Sequence, residues 1–329
     1  MDAEKNVATR SPLEILVHVE HLRVRFGTRW ALEDLTFDVA AGEIVGLLGP
    51  NGAGKTTTLS VLSTLLRPDA GRALVAGHAT ATAAAAVRRI LGLVPQALAI
   101  YPTLTARENL LFFARLLGLG GAAARRAADE ALALVGLEER GEDIVATFSG
   151  GMQRRLNLVC GLLHRPRVLL LDEPTVGVDP QSRERILSAV RAQATAGTAV
   201  LYSTHYMEEA ERLCDRVVLV DHGRVIASGS PAELVRRADR GMRLDVITRR
   251  ALPSGWLDGL AGAQLAERQL AIEGAGRGNW TQVIIDQLPR APRVLEQAAA
   301  LGGEVLEFHL HQPDLQDVFL ALTGHALRD

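Results

Sequence analysis

In GPNGAGKTT, residues 49 to 57, a glycine-rich turn runs directly into a lysine and two hydroxyls, with the spacing G-x-x-x-x-G-K-[ST]. Residues of these types at this spacing bind phosphate. The loop from Gly49 through Pro50, Asn51, Gly52 and Ala53 to Gly54 brings backbone N–H groups around a phosphate chain, and Lys55 reaches the β and γ positions. The hydroxyl of Thr56, with Thr57 behind it, suits Mg²⁺. The loop lies between the apolar run EIVGLLG and the helical TTTLSVLSTLL, which is the strand-then-helix setting such a loop needs. A glycine turn with an incidental lysine would not require it.

Three other apolar runs end in polar groups of matching use. RVLLLDE ends in Asp172, suited to holding Mg²⁺ through water, and Glu173, placed to orient or deprotonate an attacking water. LGLVPQ ends in Gln96 and AVLYSTH in His205, side chains that can sense a γ-phosphate at the mouth of a site. Taken singly, Gln96 reads as a surface amide, His205 as a loop histidine and Asp-Glu as a solvated turn. A further anion-binding signal stands in ATFSGGMQRR, where Ser149, Gly150 and Gly151 open a helix that continues through Met152 and Gln153. It duplicates a function the upstream loop already supplies.

These residues need strands to carry them to one edge. From Ile15 to about Val235 short, nearly continuous apolar runs alternate with helical patterns, predicting an α/β fold whose strands EIVGLLG, ILGLVP, RVLLLDE and TAVLYST are buried on both faces. Ligands bind beyond the carboxyl ends of such strands. Pro102 to Phe148 reads as a helical insert, RVVLVDHGRVIASG as a hairpin turning at Asp221, His222 and Gly223, and Ser230-Pro231 with Glu233 as the capped start of a helix closing the first domain. Beyond about Arg240, RLDVIT, LAERQLAIEG, TQVIIDQL and EVLEFHLHQ read as strands. Helical segments are expected near Leu257, from Arg293 to Leu301, and in DLQDVFLALTG. The expected organisation is a loose tail over 1–13, a main domain over 14–238 with a helical subdomain at about 98–160, and a small α+β domain over 239–329.

Composition narrows the function class. With 36 basic and 38 acidic residues the net charge is −2, which gives no electrostatic case for nucleic acid as a partner. Cys160 and Cys214 lack CxxC spacing, so a metal or disulfide framework is not indicated and a reducing compartment is the simpler reading. The polar start MDAEKNVATRSP is unlike a signal peptide, and no run approaches the ~20 apolar residues of a membrane span. Any membrane part must come from another chain.

The order of P-loop, Gln96, SGGMQ, LLLDEP and STH resembles the ATP-binding subunit of ABC transporters over about Ile15 to Val235. On that resemblance the fold is a P-loop NTPase of the ABC type. Gly49 to Thr57 look like Walker A and Val168 to Asp172 like Walker B, with Glu173 as catalytic base. Gln96 resembles the Q-loop glutamine, Ser149 to Gln153 the signature that completes a partner's ATP site, Asp179 the D-loop aspartate and His205 the switch histidine. The implied ligands are ATP and Mg²⁺, the ion held by Thr56, Gln96 and Asp172. Phe26, in VRFGTRWAL, resembles the aromatic that stacks on adenine, with Trp30 close enough to compete. Asp179 also reads as an N-cap ahead of Pro180. The signature departs from the family's usual LSGGQ by having Phe148 first and Met152 fifth, while the serine and glycines that contact phosphate remain.

FSGGM, PTVGVDPQSR and the ending DLQDVFLALTGHALRD look like the exporters of the daunorubicin-resistance type and related sodium exporters. The resemblance implies an ATPase homodimer at the cytoplasmic face of the membrane, paired with a separate ABC-2 type permease for drugs, antibiotics or other hydrophobic compounds. Export of sodium, or of lipid or polysaccharide, is the alternative. The segment from about Leu98 to Glu108, with Tyr101 and Leu104, is the expected permease contact. A soluble ABC ATPase acting on DNA or ribosomes is the rival, opposed by the single P-loop, the absence of sustained heptads and the near-neutral charge. A degenerate regulatory ATP binder is opposed by the presence of Lys55, Asp172, Glu173 and His205 together.

Overall fold

The computed structural model describes residues 14–237, 241–272 and 278–324, and the side chains of 268–272 are not described. The tail expected over 1–13 lies outside the described residues. In chain order the first unit contains β1 (Ile15–Phe26), β2 (Arg29–Ala40), β3 (Ile44–Leu48), α1 (Lys55–Leu62), β4 (Ala70–Val75), β5 (His78–Ala79), α2 (Ala84–Ile90) and β6 (Leu91–Val94). There follow α3 (Ala106–Leu116), α4 (Gly121–Val135), α5 (Gly150–Cys160), β7 (Val168–Asp172), α6 (Pro180–Thr195), β8 (Ala199–Thr204), α7 (Met207–Leu213), β9 (Arg216–Asp221) and β10 (Arg224–Gly229). Compact packing divides the chain between Pro231 and Ala232. The division falls at the first residue of α8 (Pro231–Arg237).

The ten strands form one sheet in the order β5-β4-β1-β2-β10-β9-β3-β8-β7-β6. From β9 to β6 every neighbour is parallel, so β3, β8, β7 and β6 all point their carboxyl ends the same way. Every residue of β3, β7 and β8 is buried, which is why these runs are apolar throughout: side chains alternate between two faces that are both covered. Polarity can return only at the strand ends. The residues next in sequence are Gly49, His205 and Glu173, with Gln96 two residues beyond β6, so the topology gathers the four chemical signals on one edge. On the other side of β10, the strands β2, β1, β4 and β5 pair antiparallel and bring Phe26, at the end of β1, into the same unit.

Between β6 and β7 the chain forms the three helices α3, α4 and α5 with short 3₁₀ turns and no strand longer than a single bridge, Thr105 with Ile144. Helix α3 begins on a capping box in which Thr105 and Glu108 satisfy each other's backbone N–H groups.

The second unit has a four-stranded antiparallel sheet, β12-β13-β11-β14, made of β11 (Met242–Thr248), β12 (Ala263–Ile272), β13 (Gly278–Ile285) and β14 (Val305–His311). Its helices are α9 (Ala291–Ala300) and α10 (Leu315–Thr323), and its core joins Leu244, Val246, Val283 and Ile285 to Trp256, Val294 and Ala298. The helix expected near Leu257 is instead a run of turns. Gly255 and Gly259 take φ of +73° and +89° there, a left-handed backbone that interrupts any helix, while Trp256 and Leu257 still reach the core.

Candidate active site

Loop 49–54 joins β3 to α1, and Gly54 is the residue that lets it do so. It takes φ of +108°, and a Cβ placed on it would lie 2.5 Å from Leu32 and 2.8 Å from the carbonyl oxygen of Ala31. No side chain fits. Lys55 is thereby set at the first position of α1, buried, with Nζ donating to the carbonyls of Gly49 (2.8 Å) and Pro50 (3.2 Å). Burial lowers its pKa, opposed by the neighbouring carboxylates of Glu173 and Asp172.

Glu173 is the centre of the arrangement. Its Oε2 accepts from Gln96 Nε2 at 3.0 Å, its Oε1 lies 3.1 Å from His205 Nδ1, and Lys55 Nζ is 3.5 Å from the same oxygen. An ionised carboxylate only accepts, so this contact puts the proton on Nδ1 of His205. The backbone of Glu173 has φ of +45°, a left-handed conformation that costs a glutamate about 1–3 kcal/mol. Its N–H donates to Ser203 Oγ (3.1 Å) and to the Ser203 carbonyl (3.2 Å), and these bonds hold the strained turn.

Ser203 also fixes the other carboxylate. Its hydroxyl donates to Asp172 Oδ1 at 2.7 Å, while Thr56 Oγ1 donates to the same oxygen at 3.3 Å. Thr56 and Asp172 therefore form a pair of oxygen donors, and among the described residues no cluster of three or more His, Cys, Asp or Glu could hold a metal by itself. That donor set fits Mg²⁺, which takes one or two protein oxygens and fills its octahedron with water and substrate phosphates. Gln96 is not brought to this pair: its side chain meets Glu173. Sequence reasoning missed Ser203. Its signal was faint, a second hydroxyl at the end of TAVLYST, and became meaningful only through the register that pairs Asp172 with Ser203 across β7 and β8.

The cleft over this loop, about 380 Å³, is lined by Phe26, Arg29, Ala31, Asn51, Gly52, Gly54, Lys55, Thr56, Thr57, Gln96 and Glu173. Pro50 and Ala53 are buried behind it. Phe26 stands at its mouth, 56% exposed. Trp30 does not line the cleft; the guanidinium groups of Arg25 and Arg23 lie over its ring at 5.3 and 5.9 Å.

Ser149, Gly150, Gly151, Met152 and Gln153 do not line it either. Ser149 caps α5, its hydroxyl accepting from Met152 N at 3.3 Å. Gly151 packs on the start of α6, where a Cβ would lie 2.3 Å from Ser182 Oγ and 2.4 Å from Asp179 Oδ2, whereas a Cβ on Gly150 would meet nothing within 4 Å. The amide of Gln153 donates to the carbonyls of Val145 and Phe148 within its own chain. Asp179 caps α6 by accepting from Ser182 N at 2.9 Å, and that bond lowers its pKa. Helix α5 is tied to the strand-end loop of Gln96: Arg154 donates to the Gln96 carbonyl, and Asn157 bridges the Pro95 carbonyl and Ala99 N.

Comparison with known proteins gives a consistent picture. The ABC transporter family model matches residues 32–176, which takes in the loop, Gln96, Ser149 to Gln153, Asp172 and Glu173. The linearmycin resistance ATP-binding protein LnrL of Bacillus subtilis (strain 168) is 38% identical over 320 residues, covering 95% of this chain and all of that protein. The daunorubicin resistance ATP-binding protein DrrA3 of Streptomyces coeruleorubidus is 43% identical over 308 residues, covering 94% of this chain and 96% of that one. Among solved structures, an ATP binding subunit of an ABC transporter matches with a TM-score of 0.62 and 35% identity over 68% of this chain and 92% of that chain.

Proposed function

The chain belongs to the ATP-binding subunits of ABC transporters, and we propose that it powers an ABC-2 type exporter of drugs, antibiotics or other hydrophobic compounds. It is an ATPase by family. The cargo class rests on the relatives named for linearmycin and daunorubicin resistance, whose likeness runs nearly end to end and includes the second unit. Residues 14–238 are assigned to the ATP-binding domain, about 98–160 to its helical subdomain and 239–329 to an accessory domain.

The observation that carries the mechanism is the convergence of Lys55, Gln96 and His205 on the Glu173 carboxylate, beside the Thr56–Asp172 pair. In this reading Phe26 stacks on adenine, residues 49–57 wrap the phosphates of ATP, and Lys55 exchanges the carbonyls of Gly49 and Pro50 for phosphate oxygens. A water attacks the γ-phosphorus, the bond to the β–γ bridging oxygen breaks, and Glu173 takes the water's proton. Gln96 and His205, its present partners, hold the carboxylate in line, and His205 also orients the γ-phosphate. Mg²⁺, held by Thr56 and Asp172 with Gln96 as the further donor the family resemblance implies, would supply charge neutralisation at the β and γ oxygens. Ser149 to Gln153 of a second copy would close over that nucleotide with Asp179 at the seam, making the working unit a homodimer.

ABC ATP-binding subunits work with a separate transmembrane component, and among the described residues no helix is long and apolar enough to cross a membrane. The subunit would sit peripherally on the cytoplasmic face. The exposed Leu98 and Tyr101, with Phe112 5.0 Å from the Tyr101 ring, offer an apolar contact to the permease. The decisive test is Glu173→Gln, assayed by ATP hydrolysis and by mass in solution with MgATP. Hydrolysis should fall by about 10²-fold or more while a nucleotide-bound dimer accumulates. Unaltered hydrolysis would remove Glu173 from the mechanism.

A further inference from the structure

Behind the site lies a buried carboxylate that the reaction as described does not use. Glu209, on α7, is 3% exposed, and its Oε2 accepts from the hydroxyls of Tyr202 (2.8 Å) and Thr175 (2.8 Å), with Thr204 Oγ1 at 3.5 Å. Its Oε1 faces Arg183 Nε of α6 at 3.3 Å, out of hydrogen-bond alignment, so this side is a charge pair. A buried carboxylate with this many donors is expensive to desolvate and strongly held once paired.

What these donors have in common is their place in the chain. Thr175 lies two residues after Glu173, and Thr204 immediately before His205. Thr204 also accepts from Tyr206 N at 2.9 Å, so the backbone on both sides of His205 is fixed at the same point. A second route reaches the histidine through side chains: the Arg183 guanidinium lies over the Tyr206 ring at 5.6 Å, and that ring packs against the His205 ring at 4.1 Å. His205 Nδ1 in turn stands 3.1 Å from Glu173. One carboxylate thus anchors the two loops that carry the facing partners.

We propose that Glu209 is a positioning residue for ATP hydrolysis, setting the distance and ring orientation of His205 against Glu173 through Thr175, Thr204 and the Arg183–Tyr206 stack. The inference rests on the catalytic assignment of Glu173 and His205 made above. Hydrolysis depends on placement to a fraction of an ångström, and a misplacement of about 1 Å costs roughly 10²-fold. Glu209→Gln preserves shape and leaves an oxygen for the hydroxyls, but it turns the amide toward Arg183, replacing attraction with two opposed donors.

The experiment measures kcat, KM for MgATP and melting temperature for Glu209→Gln and Arg183→Met, each alone and combined with His205→Ala. Either single variant should lose about tenfold in kcat with KM unchanged, and should add no further loss to the residual rate of His205→Ala, because the effect passes through that ring. A general structural role would lower the rate by the same factor in both backgrounds, and that result overturns the inference, as does unchanged kcat in both variants. Should Glu209→Gln fail to fold, Arg183→Met decides by the same criteria, since that side chain is partly exposed. Wild-type hydrolysis by His205→Ala would remove the role given to His205 and this inference together; a dead His205→Ala with kcat intact in the other two removes only the inference.

Discussion

Two helices of the first unit begin on glycine-rich turns, α1 at Lys55 and α5 at Gly150, and both present backbone N–H groups to a possible anion. Their surroundings differ. The start of α1 holds a buried cation, two carboxylates and the end of β1, all lining or backing one cleft. The start of α5 already has a side-chain cap from Ser149, and the carboxylate packed against it, Asp179, is engaged in capping α6. A phosphate bound there alone would find little beyond one helix terminus. The difference fits α5 to completing a site whose charge is supplied elsewhere, the role proposed for it in a second copy.

The largest effect should come from emptying the first turn of its charge. Lys55→Met retains the apolar stem and removes the ammonium that would face the β and γ phosphates; kcat/KM for MgATP should fall by about 10³-fold. A loss below tenfold would make the two helix starts equivalent and break the contrast between them.

A middle-sized effect separates the two glycines of α5. On Gly150 a Cβ meets open space within this chain, and alanine is the better helix former, so Gly150→Ala should leave the melting temperature unchanged or slightly raised. Hydrolysis should nevertheless fall by about 10- to 100-fold, because the space is needed for something outside the subunit. Gly151→Ala forces a methyl to within 2.3–2.7 Å of Ser182 and Asp179, so it should push α5 off α6 and lower stability by about 1–3 kcal/mol. If both variants behave alike, in either direction, the reading of α5 as an outward-facing site is lost.

The same contrast explains what could be read from the sequence. The strand ends were legible because β3, β7 and β8 are buried on both faces: polarity within those runs is suppressed, so Asp172, Glu173 and His205 stand out against it. The helical insert and the strands of the second unit were legible for related reasons of period and length. What depends on register or on neighbours far along the chain was not. Ser203 acquires its role by facing Asp172 across a strand pair, Glu209 by three hydroxyls and an arginine brought from one strand, a loop and a helix, and Phe26 is set apart from Trp30 by lining the cleft while two arginines lie over the Trp30 ring. Near Leu257 an apolar pattern suggested helix, and glycine backbone geometry decided otherwise.

The smallest effect concerns Gln153, which the family resemblance counts with the signature facing a partner's ATP. Its amide donates at 3.2 and 3.4 Å to the carbonyls of Val145 and Phe148, so it fastens the turn that leads into α5. Gln153→Ala leaves two partly buried acceptors without that donor and should cost about 0.5–1.5 kcal/mol, a drop of a few degrees in melting temperature. Hydrolysis at saturating MgATP should stay within about threefold, since Ser149, Gly150 and Gly151 keep their places through the Ser149 cap and the α6 contact. The opposite pattern, an unchanged melting temperature with a tenfold loss of hydrolysis, would mean that Gln153 leaves its own loop to touch the nucleotide of the partner. The side of α5 offered outward would then extend a residue or two further along the helix than Gly150.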